Sequence, residues 1–157
     1  TTVAGDLTVT SKATIPTRVY ALPGTSVGDH AAGDVVYFGG TTSMTAGKCY
    51  YLDSGGAWAL ANADDVDTAT GLLAIALGEV SNTNGMLLRG MVTPVGPAGT
   101  DDHGKKVYLR TQDGILSTAI PTGNGDFVRI VGYMLDDVSG GTDAIYFCPD
   151  NTYVEIA

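Results

Sequence analysis

The sequence predicts an all-β protein, a β-sandwich or compact barrel built from two similar hairpin units with an extended N-terminal arm, and three observations carry that expectation. Gly 22 against Pro 6, among many Thr, Ser, Asn and Asp, is the composition of short strands joined by tight turns. The stretch Gly71 to Thr93 (GLLAIALGEVSNTNGMLLRGMVT) holds two apolar runs separated by a polar, Asn-Gly-ended turn. The pattern of the first half of the body also returns in the second.

The central pair of strands comes first. A single helix from Leu72 to Val92 would run through Gly78, Gly85 and Gly90, each costing roughly 1 kcal/mol relative to alanine. Two strands, Leu72 to Leu77 and Met86 to Val92, avoid that cost. In the first, Leu73, Ile75 and Leu77 share one face and Leu72, Ala74 and Ala76 the other, so both faces are apolar and one carries mostly small side chains. Such a strand belongs in the centre of a sheet, covered on both sides.

Residues Thr1 to Pro16 differ in character: Leu7, Val9, Ala13 and Ile15 give one or two short strands with a single apolar face. This is an arm suited to pack on a neighbouring subunit, and Leu22 to Asp34 reads as loop or linker. The division is therefore an arm and linker over residues 1–32 and a β-rich body over residues 33–157. In the body, strands are expected at Val35 to Phe38, Lys48 to Leu52 and Ala57 to Ala61, with Ala63 to Thr70 (ADDVDTAT) an acidic loop. GKCYYLDSGGAW from Gly47 matches GKKVYLRTQDGI from Gly104, setting Tyr51 over Tyr108, Leu52 over Leu109 and Trp58 over Ile115. Phe127 to Leu135 then stands in the place of the first central strand, and Ala144 to Cys148 in that of the second. Two four-strand units packed face to face would cover each other's apolar faces.

At 157 residues and 44% apolar content the chain is long enough to bury one core and is not a disordered segment. No apolar run approaches the roughly 20 residues needed to cross a bilayer, and the opening TTVAGDLTVT lacks the basic start and apolar centre of an export signal. A net charge of −9 with only 8 basic residues argues against binding nucleic acid, where affinity comes mainly from neutralising phosphates. Acidic excess suits solubility and mutual repulsion at high surface density.

No residue is assigned a catalytic, cofactor-binding or metal-binding role. His30 lies in a Gly/Ala loop, and Asp101-Asp102-His103 precedes a glycine with no nucleophile in an elbow context, so a solvated turn is expected there. Asp64, Asp65 and Asp67, and Asp136, Asp137 and Asp143, are hard oxygen donors suited to calcium, but no EF-hand pattern is present and solvated loops are the favoured reading. Cys49 and Cys148 read as two small buried thiols, not a disulfide framework. Trp58, flanked by alanines, is expected in the core or at a subunit interface in preference to a sugar.

The segments GDVVYFGGTTSMTAGKCYYLDSGGAWALANAD, GLLAIALG, GMLLRGMVT, VRIVGYMLD and IYFCPDNTYVEIA, in this order, resemble the C-terminal domains of virion structural proteins of tailed bacteriophages. The likeness is to tail-fibre-like and head-decoration-like proteins of cyanophages and other marine phages, and it covers Gly33 to Ala157. AGDLTVTSKATIP is similar to the segment joining a fibre shaft to its terminal domain. The resemblance implies a non-enzymatic, homotrimeric, β-rich virion component without cofactor, membrane or nucleic-acid partner, assembled in the bacterial cytoplasm. The absence of a long shaft and the Thr-Thr start favour a small capsid decoration (cement) protein that contacts the major capsid protein. The alternative is the distal domain of a tail or head fibre, holding host glycan through Ala63 to Thr70 and Pro121 to Asp126.

Overall fold

A computed structural model describes Thr10 and residues 22–24, 26–96, 102–138 and 142–157. The arm expected at Thr1 to Pro16 lies outside the described residues apart from Thr10. The elements are β1 (His30–Val36), β2 (Cys49–Leu52), β3 (Trp58–Leu60), α1 (Val66–Thr70), β4 (Leu73–Ala76), α2 (Ser81–Asn84), β5 (Met86–Val92), β6 (Lys106–Leu109), β7 (Leu116–Ser117), β8 (Phe127–Val138), β9 (Thr142–Phe147) and β10 (Tyr153–Glu155). All strand pairs are antiparallel, and the order β3-β2-β4-β5-β9-β8-β6-β7 curls into a half-barrel.

That order contains the expected duplication. One unit runs β3-β2-β4-β5, the other β7-β6-β8-β9, and they join where β5 pairs with β9. They meet edge to edge in one continuous sheet, not face to face as two sheets, and curling supplies the second layer. The sequence alignment of the units holds in the backbone, where Gly47 and Gly104 donate to the Ala76 and Met134 carbonyls and the amides of Ala76 and Met134 donate back to Lys48 and Lys105, but the faces do not follow it. Cys49 and Tyr51 pack toward the main core in the first unit, whereas Val107 and Leu109 do so in the second. Setting Tyr51 over Tyr108 thus places equivalent residues on opposite faces, because side-chain period in a strand is two.

The main core lies inside the curl and contains Leu73, Ile75, Leu87, Val107, Leu109, Leu116, Val131, Met134, Ile145 and Phe147. Far ends of the two units are tied across it: Cys49 N–H donates to the Gly114 carbonyl (2.9 Å), and Gly114 N–H to Ala61 (2.8 Å). Gly114 has φ 69°, and a Cβ there would lie 2.9 Å from Leu60 Cδ2, so a glycine permits both the turn and the approach.

β4 sits between β2 and β5, as expected of a strand apolar on both faces. Leu73 and Ile75 enter the main core, while Ala74 and Ala76 face a second cluster with Met44, Tyr50, Trp58 and Met86. Small side chains on that face make room for the segment after β1. Trp58 is buried there, packs on Phe38 (ring centroids 5.4 Å apart) and donates Nε1–H to the Phe38 carbonyl (2.9 Å). Its place is the core, consistent with the expectation.

Several local expectations are corrected. β1 starts at His30, inside the stretch read as linker, because its backbone pairs along β5 from His30↔Val92 to Val36↔Met86. The acidic loop forms α1: the Asp65 carboxylate caps it by accepting Asp67 N–H (2.8 Å), and Ala69 plugs into the core. The polar Asn-Gly-ended turn contains a single helical turn, α2, closed by Gly85 at φ 88°. A further strand, β10, has no counterpart in the sequence-based expectation; it pairs with β8 and its three residues are exposed.

Candidate functional site: a pocket where the sheet forks

Met86 and Leu87 of β5 pair with β1 on one edge and β4 on the other, whereas Gly90, Met91 and Val92 pair with β1 and β9. β4 and β9 therefore lie end to end on the same edge of β5, and the sheet forks between them at Leu88 and Arg89. Opposite β1, Val35↔Leu87 is followed by Asp34↔Arg89, which leaves Leu88 as a bulge. A bulge reverses the alternation of faces, so Leu88 and Arg89 both turn to the mouth of the fork. β8 carries a matching irregularity: Tyr108↔Ile130 is followed by Val107↔Gly132, leaving Val131 extra.

Between these two bulges lies a pocket of about 810 Å³. Gly71, Leu72 and Leu73 form one wall, Cys148 to Asn151 the other, and Leu88, Arg89, Arg129, Ile130 and Tyr133 the remainder. Its apolar groups are accessible: Leu72 is 46% exposed and Tyr133 41%.

Arg129 is the clasp of the fork. It is only 2% exposed, yet its Nε donates to the Asp150 carbonyl (2.7 Å) and its Nη1 to the carbonyls of Ala69 (2.8 Å) and Gly71 (2.7 Å). One side chain thus joins the end of α1 to the segment after β9. Desolvation draws its pKa down, opposed by the nearby Cys49, Asp150 and Tyr153. Arg89, at the rim, donates Nε–H to the Tyr146 hydroxyl (2.8 Å) and lies over that ring. The Thr152 amide, as hydrogen-bond donor, lowers the pKa of the Asp150 carboxyl.

The residues singled out in the sequence lie elsewhere. His30 begins β1, and Asp102 and His103 occupy a turn in which Asp102 binds Lys105 and Thr118, with its pKa lowered chiefly by the Lys105 hydrogen bond. Asp65 is engaged as a helix cap, and among the described residues no group of three or more His, Cys, Asp or Glu is placed to hold a metal ion. Both cysteines are free thiols; Cys148 borders the pocket, while Cys49 is wholly buried. The pocket was missed by sequence reasoning, its one signal being a lone arginine in the apolar run FVRIVGYML.

Burial pushes the Cys49 thiol up from 9.0 to about 12, despite the opposing pull of Arg129. The neutral form is favoured by folding, so this contribution is fully present below pH 9 and is lost as pH rises toward 12. Urea unfolding between pH 8 and pH 11 should therefore show stability falling less steeply for Cys49→Ala than for the native chain. Equal slopes would reject this assignment.

Compared with known proteins, the sequence matches no family model, no curated protein and no solved structure. No helix among the described residues is long and apolar enough to cross a membrane. Fold and site together define the class: an all-β half-barrel with a cation-floored pocket in its seam.

Proposed function

We propose that the protein is a non-enzymatic structural module displayed on a tailed-bacteriophage virion, acting as a homotrimeric capsid decoration protein. The sequence resemblance over Gly33 to Ala157 supplies the phage assignment. One structural observation supports docking. The first unit's outer face is capped by the segment carrying Phe38 and Met44, whereas the matching face of the second, where Tyr108 is buried, is only partly covered. Tyr133 is 41% exposed there, and β10 nearby presents Tyr153 and Val154 along an edge strand. Exposed apolar groups beside an open strand edge are what a neighbouring subunit or capsid surface would cover.

The fibre-tip reading draws on a second observation. Tyr153 packs edge-on against Phe127, which directly follows the Pro121 to Asp126 loop, and so presents an exposed aromatic ring beside it. Immunogold labelling of purified particles separates the two: label over the head is expected, label at a fibre tip would transfer the proposal to host attachment, and unlabelled particles would reject both. Light scattering should give three times the 16.1 kDa chain mass. A monomer both free and on the capsid would reject the trimer.

A further inference from the structure

We propose that the fork pocket is a binding site for a small monocarboxylate carried on an apolar or ring-shaped body. The inference rests on the pocket alone and holds whether the protein is displayed on a head, on a fibre or elsewhere.

Arg129 supplies the recognising group. Its Nε and Nη1 are engaged by three carbonyls, and Nη2 has no acceptor among the described residues. Nη2 is also not a buried atom lacking a partner, and Arg129 lines the pocket, so the free N–H groups are assigned to that space. The guanidinium is immobilised before any ligand arrives, which removes most of the ordering cost of binding. Carbonyl partners take the Nε and Nη1 hydrogens, and among the described residues no carboxylate accepts a hydrogen bond from this guanidinium. A planar cation fixed in this way matches the planar carboxylate group.

The surroundings narrow the ligand. Arg89 brings a second positive charge to the rim, held by Tyr146, so two of the 8 basic residues of the chain border this pocket. Asp150 also borders it, and the chain carries a net charge of −9, which disfavours a doubly charged phosphate and favours a single negative charge. Leu72, Leu88, Ile130 and the Tyr133 ring form apolar walls that receive the body of the ligand. The 810 Å³ volume is within the range, roughly 300–1,000 Å³, typical of small-molecule sites. An acidic sugar residue and a free hydrophobic acid share this chemistry.

Isothermal titration calorimetry with sodium glucuronate and sodium benzoate, against glucose and benzamide as uncharged counterparts, tests the site. At least one carboxylate should bind once per chain, at least about tenfold tighter than its uncharged counterpart. Tighter glucuronate assigns an acidic sugar, and tighter benzoate a hydrophobic acid. Leu72→Glu places a competing carboxylate at the exposed rim and should weaken binding at least about tenfold, with Leu72→Gln close to native. In the native chain, the methyl resonances of Leu72, Leu88 and Ile130 should shift during the titration, which locates the ligand without any variant. Failure of both acids to bind at about 10 mM, weaker than about −2.7 kcal/mol, overturns the proposal. So does binding that leaves those methyl groups unmoved, or that Leu72→Glu does not affect.

Discussion

Replacing Arg129 with leucine is expected to destabilise the protein by about 3–5 kcal/mol, read as a lowered urea midpoint with an unchanged slope. The guanidinium donates side-chain hydrogen bonds to the carbonyls of Ala69, Gly71 and Asp150, and it joins the end of α1 to the segment after β9. Leucine would leave these acceptors facing an apolar side chain, each buried unsatisfied group costing roughly 1–3 kcal/mol. Water entering through the pocket would recover part of this, which keeps the sum below three full penalties. Arg129→Lys retains the charge but a single ammonium cannot span three carbonyls set around a planar fork, so an intermediate loss of about 2 kcal/mol is expected. A leucine variant within about 1 kcal/mol of the native chain would show that the fork holds together without its clasp.

Phe147→Ala should cost about 4–5 kcal/mol, near the top of the range for a buried aromatic. Phe147 is fully buried on β9, and its cross-strand neighbours are Gly90 of β5 and Gly132 of β8. With a glycine on each side, its ring alone fills that row of the core, and neither neighbour has a side chain that could relax into the cavity. Gly132 cannot take up the slack by substitution, because a Cβ there would clash with the Tyr146 carbonyl oxygen. Since the cost grows with residual cavity volume, Phe147→Leu should lose only about 1–2 kcal/mol. Equal losses for alanine and leucine would mean that ring volume is not what the seam requires.

Much of the fold was legible because strands announce themselves by period. Leu73, Ala74, Ile75 and Ala76 are apolar on both faces, and β4 is indeed central and covered on both sides. Met86 to Val92 forms β5 with the bounds expected. The short helices were not legible: α1 spans five residues with Ala69 its one buried contact, too little for a helical period to show. The start of β1 was hidden because His30 to Asp34 carries loop-forming residues, and only backbone pairing with β5 makes it extended.

The site was less legible than the fold. The likeness of the two units shows in Tyr51 and Tyr108, which hold matching places in the backbone pairing yet face opposite ways, and strand parity of this kind is changed by bulges elsewhere in the sheet. The bulges at Leu88 and Val131 are properties of pairing between strands and have no signature in either strand alone. Arg129 found its partners in the carbonyls of Ala69, Gly71 and Asp150, and every residue of the chain has a carbonyl, so no side-chain pattern could have named them. By itself, then, the sequence determined the all-β class, the central strands and the duplicated plan, because alternation and turn chemistry are local. Tertiary structure alone decided that the sheet forks at Leu88 and Arg89 and that a buried guanidinium closes the fork, because both depend on which distant backbone edges meet.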